Sequence, residues 1–359
     1  MSIEIRLNPP PGTGHTSVAR LTDYWYIACA SDELGRGLLA RQILGVPLVL
    51  FRTRGGAIGA LLDRCPHRNV PLSVGEMVGE TLQCGYHGWE FAPDGACTRV
   101  PGLCGDADHK GRRATAYPVT EQDGYVWVFL NPDVEPDVGP YALPHASTPG
   151  YTTVRKVLDV ECSVHAAIEN ALDVPHTAFL HKGLFRGSGE PNTIQVVIRR
   201  WRDRAEAEFI GEPRPEGLAG RLLSPSGGIV THFDRFIMPS IAQVEYRLGE
   251  ENHIVVTSNW TPISDFETRM FAAISYRLRL PGWVVEPLVE PIVSRIFAQD
   301  AAILKLQTDT IKRFGGERFV STEIDVLGPH IWRLMTQAER GNLPAEGAEP
   351  FTKEITLRV

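Results

Sequence analysis

Two short segments of this 359-residue chain each place a cysteine just ahead of a histidine. The first reads CPH, from Cys65 to His67, and the second reads CGYH, from Cys84 to His87. A structural zinc site usually combines a pair of closely spaced cysteines with a separate pair of histidines. Because each segment here supplies one ligand of each kind, the pattern favours a mixed-ligand iron–sulfur cluster over a zinc site or four unrelated residues.

A [2Fe–2S] cluster of Rieske type has this division of ligands, since two thiolates hold one iron and two imidazoles hold the other. Two facing loops can each offer one cysteine and one histidine. Gly85 and Gly88 permit tight turns around such a cluster, and Trp89 and Phe91 offer apolar cover. We therefore predict an electron-transfer centre in this stretch.

The stretch resembles the ligand loops of the Rieske non-haem iron oxygenases, because its four ligands have the family spacing and the second loop reads YHGW. The resemblance implies that Cys65 and Cys84 bind one iron of the cluster and that His67 and His87 bind the other. It also implies an all-β domain around the cluster, followed by a catalytic domain that uses the electrons.

The segment ENALDVPHTAFLH, residues 169–181, is a second candidate metal site. Asn170, Asp173 and His176 are spaced by three, so in a helix they share a broad face. His176 and His181 lie five residues apart, about 140° around an ideal helix. Pro175 removes a backbone donor just before His176, so a kink or break there would let one metal gather both imidazoles.

A third ligand must come from elsewhere in the chain, and Asp300 is the best candidate. Two histidines and one carboxylate form the facial triad of non-haem Fe(II) oxygenases, which leaves positions open for O2 and substrate. Asp300 shares a helix face with Ile296 and Leu304, where an unpaired acid would be costly. The alternative is that Asp300 pairs with a nearby arginine such as Arg295.

This part of the chain resembles the same oxygenases. Their catalytic helix carries an Asn/Glu-x-x-Asp-x-x-His-x-x-x-x-His motif, which NALDVPHTAFLH matches in full. A later helix in the family carries Glu-Asp, where this chain has Gln299 and Asp300. The resemblance implies that mononuclear Fe(II) is bound by His176, His181 and Asp300.

The resemblance also implies a homotrimer in which Asp173 links His87 of one subunit to His176 of its neighbour. From the residues alone, Asp173 could equally orient the histidine that binds its own metal. Asn170, one turn earlier, is a candidate for supporting the same ligands.

Strands bracketed by helices, without strict alternation, predict an α+β fold. We divide the chain into a mobile N-terminal arm (1–20), an all-β Rieske domain (21–145) and a catalytic domain (146–359). Five prolines in residues 131–150 favour a linker near that boundary.

The catalytic domain combines helical patterns at 163–181 and 284–314 with long β-like runs, which predicts an antiparallel sheet; the resemblance implies a helix-grip fold. We expect the tail after about residue 340 to be loosely held.

Composition excludes several partners. The net charge is −7, which argues against nucleic acid or an anionic membrane surface. The sequence has no run of eighteen apolar residues for a spanning helix. Its N-terminus lacks the apolar core of a signal peptide, so we predict a cytoplasmic protein.

The predicted function is the terminal oxygenase of a multicomponent Rieske monooxygenase. The chain lacks a Gly-rich dinucleotide fingerprint, so electrons should come from an external ferredoxin or flavin reductase. The resemblance is strongest to O-demethylases of the vanillate and dicamba type and to pheophorbide-type monooxygenases. It implies that O2 is used to hydroxylate or demethylate an aromatic or polycyclic small molecule.

Two alternatives stay open. The same iron centres could catalyse dihydroxylation, desaturation or oxidative cyclisation, in catabolism or in natural-product biosynthesis. The chain could also be a Rieske electron carrier or redox sensor without oxygenase activity.

Overall fold

The computed structural model describes residues 19–181, 193–212, 230–249, 252–278 and 282–358. The chain divides into two compact units, the first covering Thr22–Ala142 and the second running from Leu143 onward. The predicted N-terminal arm, residues 1–20, lies outside the described residues except at its last two positions.

The first unit consists of short antiparallel strands, in keeping with its β-branched and aromatic runs and its frequent turn residues. Its strands are β1 (Trp25–Ala30), β2 (Leu38–Ile43), β3 (Val46–Arg52), β4 (Ile58–Leu62), β5 (Glu76–Val78), β6 (Thr81–Gln83), β7 (Glu90–Phe91), β8 (Cys97–Arg99), β9 (Val119–Gln122) and β10 (Tyr125–Phe129). They pair in the orders β1-β10-β9, β2-β3-β4 and β5-β6-β7-β8. The all-β character predicted for this part is confirmed.

Part of the core of this unit lies directly under the cysteine loops. Cys65 and Cys84 belong to one buried cluster with Phe51, Leu72 and Phe91. Fully burying an aromatic or leucine side chain contributes about 2 kcal/mol. The same apolar packing that stabilises the unit therefore also fixes both cysteines.

The second unit is built on one large antiparallel sheet. Its strands are β11 (Thr152–Val160), β12 (Thr193–Arg200), β13 (Arg204–Ile210), β14 (Val230–Ile237), β15 (Ile241–Leu248), β16 (Asn252–Ser264), β17 (Glu267–Arg277) and β18 (Phe351–Arg358). Among the described residues the order is β11-β17-β16-β15-β14-β13-β12-β18. The antiparallel sheet and the α+β class are as predicted.

The second unit also contains four helices among its described residues. They are α1 (Val164–Ala171), α2 (Thr177–Leu180), α3 (Gly282–Phe314) and α4 (Gly328–Glu339). Ser163 caps α1, because its Oγ accepts a hydrogen bond from Ala166 N at 3.3 Å. Val293 of α3 packs on Ile274 and Tyr276 of β17, so this helix lies over the sheet. None of the helices in the described part of the chain combines the length and apolarity that crossing a bilayer requires.

Two details differ from the sequence-based expectations. The tail after residue 340 is not loosely held throughout, because β18 pairs with β12 over eight residues at the sheet edge. The run LQCGYHGWEF looks like one strand, yet only its ends are extended, as β6 and β7. Its middle forms a ligand loop, where glycine at positive φ interrupts the strand.

Candidate metal centres

The two cysteine loops of the first unit have the same backbone turn. Cys65 N donates to Val70 O at 2.8 Å, and Asn69 N donates to Cys65 O at 2.9 Å. In the second loop, Cys84 N donates to Trp89 O at 2.8 Å, and Gly88 N donates to Cys84 O at 3.0 Å. The residue four positions after each cysteine is left-handed, with φ of 62° at Asn69 and 70° at Gly88. Two similar turns therefore face each other, each offering one cysteine.

The two histidine rings are in contact, although His67 lies two residues after its cysteine and His87 lies three residues after its own. The ring centroids of His67 and His87 lie 4.5 Å apart, and Trp89 stacks on His67 at 4.7 Å with an interplanar angle of 5°. Cys65 and Cys84 are each 2% exposed, whereas His87 is exposed. The thiols thus lie inward, and the His87 ring lies at the surface.

These four side chains fit a [2Fe–2S] cluster. Burial raises the pKa of the Cys65 thiol to about 11, with a contribution from the Cys84 thiol beside it, and metal binding is what deprotonates such buried cysteines. The buried Nδ1 atom of His67 has no hydrogen-bond partner. Burial, with the charges of His87 and Arg68, lowers the pKa of this ring. A neutral imidazole with a free lone pair is the form that binds iron.

In the second unit the helix predicted for residues 163–181 is broken. α1 ends at Ala171, His176 is the N-cap of α2, and His181 follows its end. Because of the break, the two Nε2 atoms lie only 3.2 Å apart, whereas on a continuous helix the side chains would diverge by about 140°. Thr177 helps to close the turn, since its Oγ1 donates to Val174 O at 2.7 Å.

Asp300 of α3 completes this group. Its Oδ1 lies 3.1 Å from His181 Nε2 and 3.6 Å from His176 Nε2. All three ligand atoms lie within 4.8 Å of one another. The buried Oδ1 has no hydrogen-bond partner, and within the described residues Asp300 forms no ion pair with Arg295. A buried carboxylate oxygen facing two imidazoles fits a metal cation with a two-histidine, one-carboxylate ligand set.

One further side chain lies close to the Nδ1 atom of each histidine. Gln299 Oε1 lies 2.9 Å from His181 Nδ1, so the ring donates from Nδ1 and keeps the Nε2 lone pair for a metal. Asp173 Oδ2 lies 3.4 Å from His176 Nδ1. Gln299 is the position where the sequence departs from the family pattern, and its amide oxygen still supplies an acceptor to the ligand.

The charges around His176 favour a cation. Burial lowers the pKa of this ring, but Asp173 and Asp300 outweigh that effect and raise the pKa to about 9. A proton is held there because two carboxylates face one imidazole. A metal ion bound between His176 and Asp300 would be stabilised by the negative charge of the same two carboxylates, Asp173 and Asp300.

A groove of about 1050 Å³ adjoins this site in the second unit; we call it the α1 groove. It is bounded by α1, the C-terminal half of α3 and residues 316–328. Asn170 and Asp173 line it, together with the acids Glu169 and Asp325. Asn170 thus lies in the wall of the groove, one turn from Asp173, and is not among the three groups that converge.

Sequence reasoning left two of these features unassigned. In the sequence Gln299 is only a departure from the family pattern, because its partner, His181, is 118 positions away in the chain. The sequence likewise assigns no role to Glu169, which lies in segment 169–181. Its spacing of four from both His165 and Asp173 is the signal that could have identified it.

Solved structures and curated relatives are similar to this chain. The dicamba monooxygenase structure with bound 3,6-dichlorosalicylic acid has a TM-score of 0.76 at 23% identity, over 90% of this chain and 98% of that one. This likeness shows the fold. The oxygenase component of dicamba O-demethylase from Stenotrophomonas maltophilia is 37% identical over 161 residues, 44% of this chain and 47% of its own length. The match therefore spans about half of that relative.

A longer match is to the vanillate O-demethylase oxygenase subunit of Pseudomonas sp. (strain HR199 / DSM 7063). It is 26% identical and covers 87% of this chain and 92% of the relative.

Two family models match the chain, one in each part. The Rieske [2Fe-2S] domain matches residues 24–107, the range that contains both cysteine loops. The vanillate O-demethylase oxygenase C-terminal domain matches residues 160–341, which is half of the chain and contains the three converging ligands. The chain therefore belongs to the Rieske non-haem iron oxygenases whose C-terminal domain is of the vanillate O-demethylase type.

Proposed function

We propose that this chain is the terminal oxygenase component of a multicomponent Rieske monooxygenase. The observation that carries the proposal is the convergence of His176, His181 and Asp300 within 4.8 Å, in a chain that also has the two Cys–His loops. An electron carrier would need only the loops. When bound, the cluster supplies single-electron transfer and the mononuclear Fe(II) supplies O2 activation.

The residues around the iron site have separate roles in this proposal. Asp173 relays electrons to the site, which its 3.4 Å distance from His176 Nδ1 supports. Gln299 fixes the tautomer and orientation of His181 through the 2.9 Å contact. Asn170 supports Asp173 from the same wall of the α1 groove. His176, His181 and Asp300 would hold Fe(II), and this ligand set would leave positions for O2 and substrate.

The proposed substrate is an aromatic or polycyclic small molecule that is hydroxylated or loses a methyl group. Relatives named for dicamba and vanillate O-demethylation support an aromatic ether. Dihydroxylation, desaturation and oxidative cyclisation are the alternative outcomes, because they use the same iron ligands.

A homotrimer is part of the proposal, and the α1 groove supports it. The groove contains three acids, Glu169, Asp173 and Asp325. Leu306 and Phe314 in its wall are 61% and 77% exposed. Exposed apolar side chains beside charged ones are typical of surfaces that bind another protein.

The surface around the cluster loops complements that groove. Arg64 and Arg68 are exposed there, and Tyr86, next to His87, is 61% exposed. A basic and aromatic surface suits an acidic groove with exposed apolar side chains. We infer that the loops of one subunit dock in the groove of the next, so that His87 approaches Asp173 of a different chain.

The remaining partners follow from the proposed activity. Electrons come from an external ferredoxin or flavin reductase, which binds this chain in turn. Relatives described as oxygenase components and as subunits of monooxygenase systems support a separate electron donor. We place the complex in the cytoplasm.

The test combines iron analysis with reconstitution. The purified chain should hold about three irons, two in the cluster and one in the mononuclear site. With NADH and an aromatic ether such as dicamba or vanillate it should form no product, and product should appear when a ferredoxin and its reductase are added. Turnover with NADH by the chain alone would contradict the multicomponent assignment.

The rival function, an electron carrier or redox sensor, predicts a different iron content. It requires about two irons per chain, and a ligand substitution such as His176→Ala would change nothing. Iron content near three, with turnover that depends on His176, would exclude it.

A further inference from the structure

Two neighbouring arginines on β12 have opposite surroundings. Arg199 lies on one face of the sheet, where its Nη1 atom is 2.9 Å from Glu208 Oε2 and 3.4 Å from Glu206 Oε1. Arg200 lies on the other face, because successive side chains of a strand alternate. Within the part of the chain that the structure describes, Arg200 forms no ion pair with an acid, and its Nη1 atom lies 2.9 Å from His330 Nδ1. The sheet thus neutralises the first arginine and leaves the second beside an imidazole.

The contact between Arg200 and His330 fixes the position of the proton on the imidazole ring. A guanidinium donates hydrogen bonds and cannot accept them, so Nδ1 of His330 is the acceptor. Burial lowers the pKa of His330 to about 4, and three nearby cations add to this effect. The ring is therefore neutral at about pH 7 and carries its proton on Nε2. His330 is thus a second hydrogen-bond donor beside Arg200.

Two further cations lie on the same side of the sheet edge. Arg333 follows His330 by three residues on α4, so their side chains share one face of the helix. Phe351 of β18 pairs with Arg200 of β12, and Lys353 lies two residues later on β18. Because alternate residues of a strand point to one face, Lys353 and Phe351 lie on the Arg200 side of the sheet. We call Arg200, His330, Arg333 and Lys353 the basic cluster.

The charges of the basic cluster are not balanced by acids. Neither Arg333 nor Lys353 forms an ion pair among the described residues, and Glu354 points to the opposite face of β18. Burial, with the charge of Arg333, lowers the pKa of Arg200. Like charges repel, and a half-buried guanidinium also loses hydration. The arrangement therefore costs stability unless an anion lies among the cations, although the chain as a whole has a net charge of −7.

The charge and the donors of the basic cluster suit a phosphate group. Arg200, Arg333 and Lys353 carry three positive charges beside the neutral ring, more than a carboxylate can balance. A phosphate group has a charge of about −1.5 to −2 at pH 7 and offers three acceptor oxygens, and guanidinium groups bind it with paired hydrogen bonds. Phe351 is 44% exposed, and the Arg200 guanidinium lies 4.8 Å from its ring centroid, so an aromatic surface adjoins the cations.

We propose that the basic cluster is a binding site for a phosphate group, which comes from free phosphate or from an aromatic phosphate ester. The contact between Arg200 and His330 holds both donors in place for the anion. A bound phosphate joins α4 to the edge formed by β12 and β18, and so stabilises the second unit. The site is separate from the candidate iron ligands, so it does not depend on the proposed oxygenase function.

The test is titration calorimetry of the iron-loaded chain with inorganic phosphate and with phenyl phosphate, at low ionic strength because salt screens such contacts. Wild-type protein should bind at least one of these probes. Arg333→Gln should weaken this binding at least about tenfold, because it removes a charged hydrogen bond. Arg36→Gln is the same change at an exposed arginine of the first unit and should leave the affinity unchanged. Both variants keep the candidate iron ligands, so any phosphate that binds to iron is common to both.

Thermal unfolding gives a second signal that a purely structural arginine would not produce. Phosphate should raise the Tm of wild type and of Arg36→Gln, but not that of Arg333→Gln. Without phosphate, Arg333→Gln should unfold at a higher temperature than wild type, because one of three like charges is removed. Arg333 is exposed, so this variant should fold.

A further variant separates the two sources of the phosphate group. A preference for phenyl phosphate that is lost in Phe351→Ala would assign an aromatic ester, and phosphate binding without this preference would assign free phosphate. Binding of neither probe to wild type, or equal affinity in wild type and Arg333→Gln, would overturn the site. Iron content and turnover decide the proposed function separately, since neither depends on these measurements.

Discussion

The two proposed metal centres of this chain collect their candidate ligands in different ways. The four predicted cluster ligands lie within 23 positions, and each loop is closed by its own backbone hydrogen bonds. The mononuclear site needs a broken helix to bring two histidines together and a carboxylate from α3, more than a hundred residues later. A local site depends on the turns that form it, whereas a non-local site depends on the packing of the whole unit. The two centres should therefore fail independently, and by different mechanisms.

The largest predicted effect is the loss of one centre alone. His176→Ala removes a ligand from a three-ligand site, so mononuclear iron should be lost and turnover should fall at least about 1000-fold. The cluster should keep its visible absorption, because no ligand of the first unit is changed. Iron analysis should show a decrease from about three to about two irons per chain.

Cys84→Ser is the reciprocal variant. It should abolish the visible spectrum of the cluster while mononuclear iron remains detectable in the second unit. Loss of both centres in either single variant would show that they do not fold independently, and it would contradict the comparison.

The same contrast explains what the sequence could predict. The cysteine loops are readable because ligand spacing and turn residues are local, and the all-β surroundings follow from short alternating runs. His176 and His181 also belong to one segment, and Pro175 predicts the helix break that brings their side chains together. Asp300 required a different argument, the cost of an acid on an apolar helix face, because spacing along the chain carries no information about a partner so far away.

Other features depend on tertiary packing and had no local signal. Whether Gln299 reaches His181 depends on how α3 lies over the sheet. The space for Glu169 depends on Gly328, a residue at the start of another helix. The pairing of β18 with β12 depends on the sheet edge being free to accept a strand, which eight residues of moderate β propensity do not reveal.

A smaller effect is expected at the residue that orients His181. Gln299→Leu keeps the approximate volume but removes the acceptor 2.9 Å from His181 Nδ1. The ring would then rotate or change tautomer, so iron affinity of the mononuclear site should fall about 10–100-fold. Equilibrium competition with a chelator, followed by iron analysis, measures this change without turnover.

Two comparison variants separate orientation from helix stability. Gln299→Glu keeps an acceptor at the same place and should retain iron better than Gln299→Leu. Gln337→Leu makes the same change on α4, a helix that supplies none of the candidate metal ligands, and should leave the affinity unchanged. Equal losses in Gln299→Leu and Gln337→Leu would mean that the effect is general destabilisation.

The smallest predicted effect concerns the shared turn of the cysteine loops. Gly88 has φ of 70°, and an added Cβ would lie 3.1 Å from Pro101 Cγ. Gly88→Ala should therefore lower the free energy of unfolding by about 1–2 kcal/mol, the cost of a left-handed conformation for a residue with a side chain. Asn69 occupies the matching position with φ of 62°, so Asn69→Gly should change stability by less than about 0.5 kcal/mol. Urea titration of cluster-loaded protein measures both changes, and equal losses would contradict the explanation by left-handed backbone strain.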